Sequence, residues 1–249
     1  MSTTPSTPAT PSIDPISKPP VGRPVGHAGA RVTVSERSAF AVDGFIAVFV
    51  ALVLLGLLAQ RIIGLATSHV DEPSPGDLTF IVTMILAAAL VLSSVVVIQP
   101  GETKVVQFFG RYVGTARRSG LSMLLPLTTK RSVSVRVNNF ETNVLKVNDA
   151  DGNPVEIAAI IVWQVADTAK AVFAVEAYKD FVKVQAEAAL RHVATTHPYD
   201  DPDGHGESLR GSTDVVSGEL ATEVAERVRV AGVEILEVRI SHLAYSPEI

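Results

Sequence analysis

The sequence predicts an α+β domain carried behind an N-terminal two-helix transmembrane hairpin. Three observations lead there. Leu78 to Ile98 runs for 21 residues without a charge, and at about 1.5 Å per helical residue such a run crosses a hydrocarbon core of roughly 30 Å. A second apolar stretch, Gly44 to Ala66, is interrupted only by Gln60 and Arg61. Beyond Gln99 the pattern changes, first to the two-residue alternation of strands and then to the four-residue spacing of amphipathic helices.

Residues 1–43 read as a disordered Pro/Ser/Thr-rich tail and lead-in. Seven prolines fall before residue 25, and large apolar residues are almost absent there, so the tail buries too little surface to offset its ordering entropy. It is not a signal peptide, because the first long apolar run begins far into the chain and no small-residue cleavage site follows it. The hairpin occupies 44–98, with spans of about 44–66 and 78–98. The first crosses fully if Arg61 snorkels to the far surface; a re-entrant or interfacial hairpin is the other reading. Thr67 to Asp77 is then a short loop carrying Asp71, Glu72 and Asp77 and no basic residue. Lys18, Arg23, Arg31 and Arg37 precede the first span, while Lys104, Arg111, Arg117 and Arg118 follow the second. The positive-inside rule therefore predicts a multi-pass protein of the cell membrane with its N-terminus and C-terminal domain in the cytoplasm.

The remaining 99–249 divide into a strand-rich part, 99–166, and a helix-rich part, 167–249. Glu102 to Phe109 and Tyr112 to Ala116 form a hairpin turning at Gly110 and Arg111. Ser132 to Val137 alternates, with its valines on one face, and Val155 to Val165 is apolar on both faces, as a central strand should be. Asp149 to Asn153 is the solvated turn between those two strands. Asp167 caps a short helix through Phe173, and a longer helix runs from about Ala177 to Thr195. Asp214 opens another, with Val216, Leu220, Val224 and Val228 in one stripe, ending at Gly232. An alternating strand from Val233 to about Ala244 closes the domain.

Composition excludes several functions. Without cysteine there is no disulfide framework, thiolate metal site or cysteine nucleophile. From Gln99 to Lys146 eight basic residues face Glu102 and Glu141, a balance of +6, whereas Val147 to Ile249 carries −10. Basic charge beside the membrane suits anionic headgroups. A chain that turns acidic further on is not expected to bind nucleic acid. The six histidines show no ligand spacing, the Asp149 and Asp201 turns lack the remaining positions of a calcium loop, and phosphate-loop, GxSxG and HExxH motifs are missing. No cofactor and no enzymatic activity are expected.

IQPGETKVVQFFGRYVGT, RSGLSMLLPL, VSVRVNNFETNVLKVNDADGNPVEIAAIIVWQV, DTAKAVFAV, the AEAALRHV helix and AGVEILEVRISHLAYSPEI, taken in order, resemble the stomatin, prohibitin and flotillin (SPFH, band 7) family over Ile98 to Ile249. The resemblance implies an SPFH-type domain and a non-enzymatic, membrane-anchored scaffold that assembles into large homo-oligomers. Such scaffolds organise membrane microdomains and regulate partners such as membrane proteases or channels. A monomeric membrane-bound adaptor or regulatory domain for a single partner is the alternative. Members usually continue into a coiled coil, which would begin beyond Ile249. Many members also have one anchor where this chain has two.

The expected contact with the lipid surface lies between two basic pairs. Arg117 and Arg118, then Leu124 and Leu125, then Lys130 and Arg131 place leucines between cations, each cation contributing about 1 kcal/mol near an anionic surface. For the leucines two readings stay open, headgroup insertion and ordinary core.

Overall fold

The computed structural model describes residues 34–67, 74–201 and 207–246. The tail expected to be disordered, most of the acidic loop, and residues 202–206 after Asp201 lie outside the described residues. Two described helices are long and apolar enough to cross a membrane, α1 (Gly44–Thr67) and α2 (Pro75–Ser94). They contact each other, and Ala47, Ala51 and Ala88 are buried, small residues that let backbones approach. Ser74 and Asp77 cap the start of α2 reciprocally. Arg61 does not simply snorkel: its guanidinium pairs with Asp77, joining the far ends of the two helices.

The uncharged run 78–98 is not one helix. It leaves α2 at Ser94 and continues at once as strand β2 (Val95–Ile98). Three valines and an isoleucine in succession favour extended backbone, and β5 (Gly120–Met123) offers them an antiparallel partner from Val95↔Met123 to Ile98↔Gly120. On its other side β5 pairs with β1 (Val42–Asp43). The lead-in thus ends in a paired strand that runs directly into α1.

A second sheet runs β4 (Arg111–Ala116), β3 (Glu102–Phe108), β6 (Thr128–Ser134). The strand expected over Ser132 to Val137 ends at Ser134, because its partner β3 begins at Glu102; past the Glu102↔Ser134 pair the Val135 N–H still donates to the Gly101 carbonyl at 2.9 Å, in the turn before β3. The third sheet is centred on β9 (Pro154–Val165), flanked by β10 (Val233–Tyr245) on one side and by β7 (Asn138–Glu141) and β8 (Leu145–Asn148) on the other. Val155, Ile157, Ala159, Ile161, Trp163 and Val165 of β9 enter the main core. Helices α4 (Tyr178–Thr196) and α5 (Thr213–Val228) supply its other wall, with Val216, Leu220, Val224 and Val228 fully buried.

Short α3 (Thr168–Phe173) is capped by Asp167, whose carboxylate accepts the Lys170 N–H. Gly232 ends the last helical turn at φ +69°, and its carbonyl accepts the N–H groups of Ala166 and Asp167, each at 2.9 Å. The turn is solvated at Ala150, Asp151 and Gly152, but the Asp149 side chain is not. Its carboxylate is buried and accepts the N–H groups of Asp151, Asn153 and Tyr199 at 2.7 to 3.0 Å. Desolvation alone would raise its pKa, but those hydrogen bonds outweigh it and hold the carboxyl below the usual range.

Candidate membrane interface

Strand directions decide which end of the domain lies beside the end of α2. β2 leads away from the end of α2, the chain turns at Gln99 to Gly101, and β3 returns to Phe108. After the turn at Phe109 and Gly110, β4 leads away again; β5 returns to Met123, and β6 departs from Thr128. Two turns therefore lie at the α2 end, Phe108 to Arg111 and Leu124 to Leu127, and Phe108↔Thr128 pairing keeps them together. Lys130 fixes their height. Its ammonium donates to the Ser93 carbonyl at 2.7 Å, in the last turn of α2, where a cation complements both the unpaired carbonyls and the helix dipole. Burial pushes the Lys130 pKa down.

Both turns expose apolar side chains at this level: Phe109 is 82% exposed, Leu127 62% and Leu125 42%. Phe108 and Phe109 stack edge to face with centroids 4.7 Å apart. Among the described residues, the non-glycine residues with positive φ are Phe109 (φ +45°) and Leu127 (φ +56°), one on each turn. A bulky residue in the left-handed region is strained by roughly 1 kcal/mol or more. Strain that presents a phenylalanine and a leucine outward serves no core. Exposed Arg111 follows the Phe109 turn and Lys130 stands two residues behind β6's first residue, so the patch is apolar at its tips and cationic behind them, as an interfacial surface should be.

The residues expected at the lipid surface divide. Leu125 and Lys130 lie at this end, whereas Arg131 pairs with Val105 half-way along β3. Leu124 does not face lipid. It is 2% exposed and packs with Ile98, Val106 and Ala116, because its N–H donates to the Ser94 carbonyl at 2.8 Å and fixes that side chain inward. Arg117 and Arg118 sit at the opposite end of β5, which is a strand and not part of one interfacial loop. There Arg117 is engaged by Glu36 and by the Ala166 carbonyl, at 2.8 Å, and Arg118 lies 3.8 Å from Asp43. Phe108, Phe109 and Arg111 were not expected here, whereas Leu127 belongs to the apolar segment between the two basic pairs. Two phenylalanines directly before the Gly110 turn, where polar residues usually stand, were the available signal.

A family model described as SPFH domain / Band 7 family matches residues 96–249. The chain belongs to the SPFH/band 7 family. Comparison with curated proteins gives no match. The matched region begins inside β2, so the SPFH domain starts one residue after α2 has become a strand. In general terms an SPFH domain makes this a membrane-associated scaffold or regulator, and the family is generally non-enzymatic. Among the described residues no cluster of three His, Asp or Glu side chains could hold a metal ion.

Proposed function

We propose that the protein is an oligomeric membrane scaffold. Its hairpin crosses the bilayer with both ends in the cytoplasm, the Phe109 and Leu127 turns enter the headgroup region, and neighbouring SPFH domains pack side by side to organise a microdomain and regulate membrane proteases or channels within it. The observation that carries this reading is the patch of strained, exposed Phe109 and Leu127 beside Lys130, which holds the end of α2. Lateral packing is favoured by charge, since the basic proximal half of one copy can face the acidic distal half of the next. Such pairing governs encounter and register more than affinity.

Two measurements test the proposal. Because the chain has no cysteine, single cysteines at Ser74 and Ser212 report topology: in intact cells an impermeant thiol reagent should label the first and spare the second. Sizing the full-length protein in mild detergent should give a large homo-oligomer. A monomer at native membrane density would replace the scaffold with a single-partner adaptor.

A further inference from the structure

Residues 34–41 run along the outer edge of β4 as a peptide ligand would. The Thr115 N–H donates to the Arg37 carbonyl at 2.7 Å, and the Ala39 N–H donates to the Thr115 carbonyl at 3.0 Å, a parallel pairing centred on Ser38. Gly114 permits this approach: a Cβ there would stand 2.7 Å from the Ala39 Cα and N. Glu36 is the anchor. Arg117 grips both carboxylate oxygens, with Nη2 2.9 Å from Oε2, and the Thr168 N–H and hydroxyl approach Oε2 at 2.8 and 3.0 Å. The Arg37 N–H donates to the Tyr112 hydroxyl at 3.1 Å. Desolvation would raise the Glu36 carboxyl, but the hydrogen bonds from Arg117 and Thr168 hold it below its ordinary range.

These contacts read a backbone, one carboxylate and one small residue, while the side chains of Arg37 and Ser38 point to solvent. That is the chemistry of strand addition with a charge-assisted anchor. We propose that the β4 edge with Arg117 and Thr168 is a recognition groove for an extended, glutamate-bearing peptide of a partner protein, and that residues 34–41 are its tethered competitor. A short tether gives the competitor an effective concentration on the order of mM, so the partner enters only when Glu36 lets go. A second copy is the poorer occupant, since its own segment passes through Val42 and Asp43 straight into α1 and has no slack to cross between molecules. The groove lies apart from the membrane interface and stands or falls separately from the scaffold reading.

The test uses the full chain in detergent micelles and a fluorescein-labelled peptide of residues 32–43. Glu36→Ala protein should bind this peptide in anisotropy titrations at least about tenfold more tightly than wild-type protein does. The same peptide with Glu36→Gln should bind the variant about tenfold more weakly, and adding Gly114→Val to the protein should abolish binding. A maleimide should label Ala39→Cys, whose side chain packs inward when the segment is docked, faster in the Glu36→Ala background, showing the segment released. If the Glu and Gln peptides bind alike, or Gly114→Val leaves binding intact, the groove is not the site. Released protein that binds no peptide overturns the proposal, and equal labelling rates overturn it too, because Glu36 is then not the anchor.

Discussion

Phe109 and Leu127 spend backbone strain to hold side chains outside the protein, and that trade can be measured. Replacing both with glycine removes a left-handed penalty of roughly 1 kcal/mol at each site. The Phe109→Gly/Leu127→Gly protein should therefore unfold at an equal or higher denaturant midpoint while losing its grip on the lipid surface. The grip itself is read by Phe109→Trp in a Trp163→Phe background: its emission should be blue and quenched by brominated acyl chains, and a red, unquenched spectrum would remove these turns from the membrane. Asp149 makes the opposite bargain, a buried charge stabilised by hydrogen bonds. Asp149→Ala should cost about 1–3 kcal/mol at neutral pH. Its folded pKa lies below the unfolded value of about 3.9, so the contribution is complete above that value and is lost as pH falls through the depressed folded pKa. Denaturant midpoints of wild type and Asp149→Ala should accordingly converge below about pH 4. At this scale the sequence was least readable. Leu124 and Leu125 are neighbours of the same type, and only the β5 pairing sends one inward and the other out.

Elements were far easier to read, wherever one periodicity persisted. The α5 stripe, the β9 alternation, the Asp167 cap and the Gly232 stop all stand where spacing put them. Leu220→Ala should destabilise by about 2–5 kcal/mol, seen as a lower denaturant midpoint. Gly232→Ala should be at least as harmful for one methyl, since its φ is positive and the added Cβ would meet the Asp167 carbonyl oxygen at 2.3 Å. Hydropathy failed where the element changed and the polarity did not: it cannot see that α2 becomes β2 at Val95, because apolar residues suit both lipid and a buried strand. The Arg61–Asp77 pair was hidden for a different reason, being a contact between helices rather than a pattern within one. Asp77→Leu alone should lower the heat stability of the detergent-solubilised hairpin more than Arg61→Leu/Asp77→Leu does, because the single change leaves a cation unpartnered beside apolar helices.

For the whole molecule, charge follows chain order: the anchor, then the basic strands, then the acidic helix-bearing core. Salt should weaken assembly more in encounter rate than in final stability, as complementary charge requires, and stopped-flow mixing of solubilised copies at two ionic strengths checks this. One feature sets how the molecule responds to the bilayer itself. Ser94 and Val95 are joined by a single peptide bond with helix on one side and paired strand on the other, and Lys130 fastens the same spot from β6. A helix in a thinner or bent bilayer changes its tilt, and here there is no hinge to absorb the change. The domain should therefore turn with α2 like a pointer on its axle, and a tilt in the lipid should become a sweep at β10. Placing Gly-Ser-Gly between Ser94 and Val95 should cut that linkage, leaving an anchored domain whose orientation no longer follows membrane thickness.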